Sequence, residues 1–348
     1  MKNELYKLID TLEAKQSLTV TEYRQLIEGY DSDLAEYTAK KARKLCDKHY
    51  GKDIYIRGLI EISNYCKNDC LYCGIRKSNT NCQRYRLSKD EILECCREGY
   101  NLGFRTFVLQ GGEDGHYTDD LLCDIIGEIK SRYPDCAVTL SLGERSYDSY
   151  KRLWDAGADR YLLRHETAHK CHYKKLHPSD LSFDKRMKCL YNLKEIGYQV
   201  GCGFMVGSPY QTAERLAKDL KFIEEFSPHM CGIGPFISHK DTPFKDEKNG
   251  SVELTLFLLS IIRLIKPTIL LPATTALGTL SADGREKGIL SGANVVMPNL
   301  SPISVREKYM LYDNKIATGH ESAQCVDDLR ERMRAIGYNV VEAKGDAK

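Results

Sequence analysis

The stretch Ser63–Arg76, SNYCKNDCLYCGIR, decides how the rest of the chain is interpreted. Cys66, Cys70 and Cys73 form a C-x₃-C-x₂-C pattern within it, so three thiolates lie on one short segment. A [4Fe–4S] cluster is normally held by four cysteines, and three would leave one iron open to a small chelating molecule. The pattern alone leaves two other interpretations open: a chance grouping in a cysteine-rich chain, or a zinc site that is short of the usual four ligands.

The composition is typical of a globular enzyme. Of 348 residues 42% are hydrophobic and 29% charged, and the net charge of +2 gives no argument for a nucleic acid or an anionic membrane as partner. The start, MKNELYKLIDTLEAK, has no apolar core of a signal peptide. The run Leu254–Ile265 is interrupted by Arg263 and is shorter than the roughly 20 residues that a membrane span requires. We therefore predict a cytoplasmic protein.

The chain has fourteen cysteines, most of them outside the triplet. Single cysteines on predicted helices and strands are expected to be small buried hydrophobic residues in a reducing compartment. They include Cys46, Cys95, Cys123, Cys189 and Cys231. An oxygen-sensitive cluster also favours a reducing, anaerobic setting.

Residues 1–50 are predicted to form a helical extension. Leu5, Leu8, Ile9 and Leu12 give a helical stripe, and further helices are predicted at Thr19–Gly29 and Ser32–His49.

From residue 51 onward, strand-like runs alternate with helical patterns. The predicted strands are Tyr55–Ile62, Thr106–Gly111, Ala137–Leu142, Arg160–His165, Gln199–Val206, Met230–Phe236, Ile269–Thr275 and Asn294–Pro298. The predicted helices between them are Lys89–Leu102, Thr118–Arg132, Tyr147–Ala156, Phe183–Ile196, Gln211–Glu225, Val252–Ile265 and Gly284–Ser291. This α/β order predicts a full (βα)₈ TIM-type barrel over residues 51–320. Residues 321–348 are predicted as a C-terminal helix, Ala323–Ile336, and a frayed tail that either caps the lower barrel or docks a partner.

Polar residues follow every predicted strand. Barrel active sites lie at the carboxyl ends of the strands, so these residues are expected to surround one site. After the cysteine loop, the tips are Gln110–Glu113, Ser141–Glu144, Arg164–Thr167, Gly207–Pro209, His239–Thr242, Thr274–Thr275 and Asn299–Pro302.

The cysteine triplet resembles that of the radical S-adenosyl-L-methionine (SAM) superfamily, in which the amino and carboxylate groups of SAM chelate the open iron. Tyr72 occupies the position where those enzymes place an aromatic residue beside the adenine. A SAM site needs acceptors for the ribose hydroxyls and a cation for the carboxylate. Glu166 and Arg186 can supply these, and Ser141 can donate or accept beside them.

Each candidate also has a purely structural interpretation. Glu166 and Arg186 could form an ordinary surface ion pair, which stabilises by under about 1 kcal/mol. Gln110 and Ser141 could simply end strands, and His165 could be a structural histidine.

From Tyr55 to about Tyr312 the sequence is similar to the HydE family, radical SAM maturases of [FeFe]-hydrogenase grouped with biotin synthase and methylornithine synthase. The matching stretches are NYCKNDCLYCGIR, CQRYRLS, FVLQGGED, VTLSLGE, GADRYLLRHETA, GIGPFISHKDTP, LPATTALGT and GANVVMPNLSP.

This resemblance implies a set of ligand contacts. Cys66, Cys70 and Cys73 would bind one [4Fe–4S] cluster. The positions implied to contact SAM are Tyr72, Gln110, Ser141, Glu166, Arg186 and Met205. The positions implied to line an inner cavity for substrate or small anions are Arg164, Thr274, Thr275 and Tyr309.

The family also implies a reaction. The 5′-deoxyadenosyl radical attacks the sulfur of a cysteine-ligated iron dicarbonyl cyanide synthon, which starts its conversion into the diiron precursor of the hydrogenase active site. The implied partners are this organometallic or another amino-acid-derived substrate, a one-electron reductant and other hydrogenase maturases.

In one respect the chain departs from the family pattern. Some HydE proteins hold a second iron–sulfur site with three cysteines near the C-terminus, where this chain has Ala317, Cys325 and Asp328. We therefore predict a single cluster.

Three rival functions agree less well with the residues on and after the strands. Sulfur insertion of the biotin-synthase kind needs cysteines on the second and third strands, which read TFVLQ and AVTLSLG. Methylornithine synthase carries an acid at the seventh strand end to hold a substrate amine, whereas this chain has Thr274 and Thr275. A simple electron carrier would leave the polar strand tips without a role.

Overall fold

Parallel strands form the centre of the fold. In the computed structural model, which describes residues 2–316 and 322–348, a six-stranded parallel sheet has the order β2-β3-β4-β5-β6-β8. The strands are β1 Asp53–Ile56, β2 Gly58–Ser63, β3 Thr106–Gly111, β4 Ala137–Ser141, β5 Arg160–Leu162, β6 Gln199–Cys202, β7 Met205–Val206, β8 Met230–Cys231, β9 Gly234–Pro235, β10 Val295–Val296 and β11 Asn339–Val341.

Smaller parallel pairings extend from both edges of this sheet. β7 pairs with β9, and β1 pairs with both β10 and β11. Isolated parallel bridges join Met230 to Leu270, Pro272 to Val295, and Leu59 to Asn299. Parallel contacts therefore run from β8 through residues 270–272 and β10 back to β2.

Helices follow most strands, and several begin at strong caps. Thr19 with Glu22 and Ser88 with Glu91 form capping boxes, which satisfy backbone N–H groups of the first helical turn. Among the described residues, no helix has the length and hydrophobicity of a membrane span. The helices are α1 Lys2–Lys15, α2 Val20–Gly29, α3 Ser32–Tyr50, α4 Lys89–Asn101, α5 Asp119–Arg132, α6 Tyr147–Asp155, α7 Lys170–Leu176, α8 Phe183–Ile196, α9 Ala213–Phe226, α10 Val252–Ile265, α11 Thr275–Leu280, α12 Gly284–Leu290, α13 Ile303–Arg306 and α14 Val326–Ala335.

One continuous core lies between the strands and the helices. Phe107, Leu109 and Val138 are fully buried, as expected for parallel strands covered on both faces. The first three helices belong to the same core, since α2 packs on α9, α3 packs on α10, and Ile9 and Tyr23 are fully buried in it.

Four predicted strands are interrupted in the structure. Gln199–Val206 is divided into β6 and β7, and Met230–Phe236 into β8 and β9, because their second halves pair with each other in a separate two-stranded sheet. Ile269–Thr275 forms single bridges instead of a ladder, because Pro272 has no N–H to donate and Thr274 already caps α11. Tyr55–Ile62 is divided at Arg57 into β1 and β2, which pair with different strands.

The C-terminal tail is ordered, contrary to the prediction that it frays. β11 pairs with β1, and the Asp346 carboxylate accepts a hydrogen bond from Arg160 Nη2 at 2.6 Å. The main-chain oxygen of Lys344 accepts from Thr106 Oγ1 at 2.9 Å. Thr106 and Arg160 begin β3 and β5, so the tail covers the amino ends of these strands, opposite the predicted site.

Candidate active site

The cysteine loop follows β2 at the carboxyl ends of the parallel strands. Its backbone is tied to three other segments: Lys67 N donates to Glu113 O at 3.0 Å, Leu71 N to Leu176 O at 3.0 Å, and Gly74 N to Leu311 O at 2.8 Å. Cys66, Cys70 and Cys73 are free and half-buried on this loop.

Arg84 holds the loop from within. Its Nη1 donates to the main-chain oxygens of Asn64 and Ile75, the latter at 2.8 Å. Its Nη2 donates to those of Arg76 and Asn79, at 2.7 and 3.1 Å. Sequence reasoning missed this role. The available signal was an arginine in a loop with many carbonyls and no nearby acid to pair with.

A second brace spans Cys70 and Cys73, because Asp69 directly precedes Cys70 and Arg76 follows Cys73. Arg76 makes a bidentate contact with Asp69, at 2.7 and 2.6 Å. The hydrogen bonds from Arg76 hold the pKa of the Asp69 carboxyl well below its usual range. The pair therefore stays ionised and fixes the loop immediately around Cys70 and Cys73.

The three thiols have pKa values that are raised by burial, and for two of them also by the neighbouring cysteines. Burial raises the pKa of Cys66, and it raises that of Cys73 to about 12, with Cys66 adding to the effect. Burial raises the pKa of Cys70 as well, and the other two sulfurs add to it. Such thiols release their protons only when a metal centre replaces them.

The spacing of these side chains does not match a single-ion site. Within residues 2–316 and 322–348, no three His, Cys, Asp or Glu side chains converge on one metal ion. Because an iron–sulfur cluster is larger than one ion, its ligands are farther apart. Three cysteine thiolates on one loop are a donor set that suits such a cluster, with one iron left open to a chelating ligand.

Glu166 has an unusual backbone and an unsatisfied side chain. Its φ of +64° lies in the left-handed region, which is rare for glutamate. Its Oε2 is buried and has no hydrogen-bond partner, although Arg164 Nη2 lies 3.3 Å away. This oxygen is thus paired in charge with Arg164 but accepts no hydrogen bond. A buried oxygen in that position can accept from a ligand or water, and ribose hydroxyls fit this need.

Arg186 is fixed by protein groups. Its Nε donates to Glu144 Oε1 at 2.6 Å, and its Nη1 to Arg164 O at 2.8 Å. Its Nη2 lies 3.9 Å from Glu113 Oε1, which is too far for a hydrogen bond. Burial opposes the charged form, but the surrounding negative groups raise the pKa of Arg186. One edge of this guanidinium is thus held by Glu144, a partner that sequence reasoning did not assign.

An aromatic wall stands beside the cysteine loop. Tyr72 Oη lies 3.2 Å from His177 Nε2, and His177 stacks on Tyr173 with ring centroids 3.9 Å apart. Burial lowers the pKa of His177 to about 3, so this ring is neutral. Met205 and Tyr72 belong to one apolar cluster. This wall fits a flat heteroaromatic group such as adenine.

Gln110 and Ser141 lie at the tips of β3 and β4, and they are direct neighbours in the β3–β4 ladder. Tyr309 follows α13 and is buried near them, and its pKa is raised by burial and by Glu61. Tyr309 therefore lies between the strand tips and the cysteine loop.

The predicted inner-cavity residues keep unused polar atoms. Arg164 Nε and Nη2 and Thr274 Oγ1 are buried without hydrogen-bond partners. Thr275 is the first residue of α11 and has contacts of its own. Sequence reasoning missed a buried pair nearby, Lys315 Nζ to Glu61 Oε1 at 2.5 Å, whose lysine also donates to Tyr309 O.

Close packing at Gly112 completes the site. A Cβ there would lie 2.2 Å from Tyr65 O and 2.8 Å from Cys66 Cβ. Only glycine allows the β3 tip to touch the cysteine loop this closely. Three unpaired thiols, an unsatisfied carboxylate and an aromatic wall together fit a [4Fe–4S] cluster with SAM.

Comparisons with known proteins agree with this geometry. Residues 60–223 match the model of the radical SAM superfamily. The chain is 42% identical over 331 residues to the [FeFe] hydrogenase maturase subunit HydE of Thermotoga maritima, covering 95% of this chain and 94% of that protein. It is 28% identical to 3-methylornithine synthase of Methanosarcina acetivorans, covering 85% and 83%. A crystal structure of methylornithine synthase (PylB) matches with a TM-score of 0.83 and 26% identity, covering 96% of this chain and 97% of that one.

The identity to HydE extends over nearly the whole of both chains, whereas the synthases match at lower identity. This chain therefore belongs to the HydE family of [FeFe]-hydrogenase maturases, within the radical SAM superfamily.

Proposed function

We propose that this protein is a radical SAM enzyme of [FeFe]-hydrogenase H-cluster maturation. The observation that carries the proposal is the grouping of three unpaired thiols beside the unsatisfied Glu166 carboxylate. The 42% identity to HydE over almost the full length supports the same assignment.

Cys66, Cys70 and Cys73 hold one [4Fe–4S] cluster. With SAM bound, such a cluster would supply the single electron for reductive cleavage of SAM, and the radical chemistry of this enzyme class would then be directed at the sulfur of a cysteine-ligated iron carbonyl cyanide synthon. The chain's contribution is to limit the access of water to this region, since the half-buried cysteines and Tyr72 lie beside the buried side chains of Leu176 and Met205.

The SAM contacts are divided among several strand tips. Glu166 accepts hydrogen bonds from the ribose hydroxyls, and Tyr72 and Met205 flank the adenine. Ser141 and Gln110 contact the ligand from the neighbouring tips. Arg186 faces the SAM carboxylate with the Nη2 edge that Glu144 does not occupy.

The substrate lies deeper, against Arg164, Thr274, Thr275 and Tyr309. Two of these residues keep buried donors without partners, and a guanidinium and a hydroxyl suit an anionic or neutral ligand. A cysteine-ligated iron carbonyl cyanide fits this chemistry better than an ammonium group does.

The fold supports this arrangement. We infer that the bridges at Leu270, Pro272 and Leu59 close the sheet into a full (βα)₈ barrel over residues 51–320. Residues 1–50 then form a helical extension, and residues 321–348 a C-terminal helix and tail. We assign the enzyme to the cytoplasm, with a one-electron reductant and other hydrogenase maturases as partners and no nucleic acid or membrane partner.

The test is anaerobic reconstitution, reduction with dithionite and incubation with SAM. Formation of 5′-deoxyadenosine is expected, and less of it should form per SAM cleaved when the iron synthon is added, because the radical then attacks the sulfur of the synthon. A protein that binds a cluster but forms no 5′-deoxyadenosine would instead be an electron carrier.

The same preparation separates the closest rival. A methylornithine synthase would convert lysine into methylornithine, and the match to the PylB structure makes this the alternative to exclude. Because Thr274 replaces the acid that would hold a substrate amine, we expect no product from lysine.

We also propose a single cluster per chain. Cys325 lies in the 3₁₀ turn Ala323–Cys325 and Asp328 lies in α14, while Ala317 is outside the described residues. Iron analysis giving clearly more than four irons per chain would contradict this.

A further inference from the structure

A buried histidine–aspartate pair lies behind the tip of the strand that carries Glu166. His165 and Asp219 are both fully buried, and His165 Nε2 lies 3.5 Å from Asp219 Oδ1. Gly203 N donates to His165 Nδ1 at 3.3 Å, so the ring N–H is on Nε2, which faces Asp219. The proposed function gives neither residue a role.

Asp219 contacts the chain on both sides of Glu166, by a hydrogen bond after it and by the 3.5 Å approach of His165 Nε2 before it, an atom with no hydrogen-bond partner. The main-chain N–H of Ala168 donates to Asp219 Oδ1, and His165 precedes Glu166 directly. Between these two points Glu166 N donates to Gly203 O at 3.0 Å. The backbone is thus fixed before, at and after the residue whose side chain carries the unsatisfied oxygen.

The backbone conformation of Glu166 has to be imposed by its surroundings. Its φ of +64° is an unfavourable conformation for a residue with a Cβ. Conformations of this kind persist only where the surroundings impose them, and they occur often at ligand sites. The left-handed turn aims the carboxylate, so losing the contacts that fix it would let it turn away.

The composition of α9 indicates that Asp219 is not there to fill space. The buried face of this helix is otherwise apolar, with Leu216, Leu220 and Ile223. Burying a carboxylate there is costly, and burial raises the pKa of Asp219. One of its oxygens, Oδ2, has no hydrogen-bond partner. A leucine would pack more favourably, so the acid is explained by what it holds.

We infer that Asp219, with His165, is a positioning residue for nucleoside binding: it holds Glu166 in the left-handed conformation that presents its carboxylate to the ribose of SAM. This rests on the proposed function, because the role of Glu166 as ribose acceptor belongs to that proposal.

The test compares two substitutions in the reconstituted enzyme. Asp219→Asn keeps a carbonyl oxygen that accepts from Ala168 N, whereas Asp219→Leu keeps the volume and removes the acceptor. Dissociation constants are measured for SAM, for 5′-deoxyadenosine and for methionine, because only the first two contain ribose.

We expect Asp219→Leu to weaken SAM and 5′-deoxyadenosine binding at least tenfold and methionine binding less than twofold. Asp219→Asn should stay within threefold of the wild type for all three. The matched control is Glu224→Leu, which removes another acid from α9 that pairs with Tyr23 and Ser17, and it should leave all three constants unchanged.

Equal weakening of methionine and nucleoside binding by Asp219→Leu would overturn the inference, as would wild-type binding of all three ligands. If Asp219→Leu does not fold, His165→Phe decides, because a phenyl ring can keep the packing against Phe204 and Phe222. Selective loss of nucleoside affinity in that variant supports the inference, and unchanged affinity refutes it. A wild-type enzyme that forms no 5′-deoxyadenosine would refute the proposed function itself, which is a separate outcome.

Discussion

Replacing Arg84 with methionine is expected to release the cysteine loop without unfolding the protein. The guanidinium donates hydrogen bonds to four main-chain oxygens, those of Asn64, Ile75, Arg76 and Asn79. Asn64 precedes the triplet, and the other three follow Cys73. The side chain therefore ties the two ends of the segment that holds the thiols.

The size of the effect follows from these contacts. A net contribution of about 0.5–1.5 kcal/mol for each hydrogen bond gives roughly 2–6 kcal/mol for four. Arg84 is half-buried and the loop carbonyls can be rehydrated when it is removed, so we take about 3 kcal/mol. At about 1.4 kcal/mol per factor of ten, the ordered loop loses about a hundredfold in population relative to disordered forms.

The assay is iron retention. After anaerobic reconstitution, Arg84→Met should release iron to a chelator at least about tenfold faster than the wild type, and its loop amides should exchange hydrogen faster. Arg97→Met is the matched control, because Arg97 lies exposed on α4 and pairs with Glu94 on the same helix. Iron release from Arg84→Met at the wild-type rate, with equally protected loop amides, would refute the reasoning.

Three further predictions concern other parts of the chain. Cys70→Ala should abolish cluster binding and 5′-deoxyadenosine formation while the circular dichroism spectrum stays that of the folded protein, because Cys70 lies on the loop and not in the core; wild-type 5′-deoxyadenosine production would reject Cys70 as a ligand. Arg164→Ala should slow turnover of the iron synthon more than it weakens SAM binding, and equal losses in kinetics and titration would argue against an inner-cavity role. Hydrogen bonds from Arg160 and Gln199 outweigh burial and lower the pKa of Asp346 below its usual 3.8, so its stabilisation is present at neutral pH and lost as the pH falls through that lowered value. Asp346→Asn should therefore cost about 1 kcal/mol, or roughly 2 °C in melting temperature, at pH 7, and this difference should disappear in thermal melts as the pH falls through the lowered pKa.

Helices were predictable where their ends are encoded locally. α8 and α10 begin and end at the predicted residues, because Ser182 and Ser251 cap their first turns and Gly197 and Pro267 stop continuation. The seventh strand could not be predicted from its own residues, because a strand forms only by pairing with neighbouring strands. Residues 269–275 are apolar enough for a strand, yet Pro272 and the start of α11 at Thr275 leave only single bridges.

The candidate site was predictable in its residue types and not in its pairings. The cysteine triplet, Glu166 and Arg186 were selected because their chemistry suits a cluster and a nucleotide. The partner of Arg186, however, is Glu144, 42 positions earlier in the chain. No local pattern connects two such residues, so the pair could be found only once β4 and α8 were placed side by side.

The order of the C-terminal tail also could not be predicted from the residues of the tail alone. EAKGDAK has the composition of a frayed end, yet Arg160 and Arg57 are buried near it and both need acceptors. Arg160 donates hydrogen bonds to Lys344 O and to the Asp346 carboxylate, and Arg57 Nη2 lies 3.5 Å from Gly345 O. Two arginines buried at the amino ends of the strands would be costly without these groups. The tail is therefore held by charges that the strands bury, and a sequence window confined to the tail contains no sign of them.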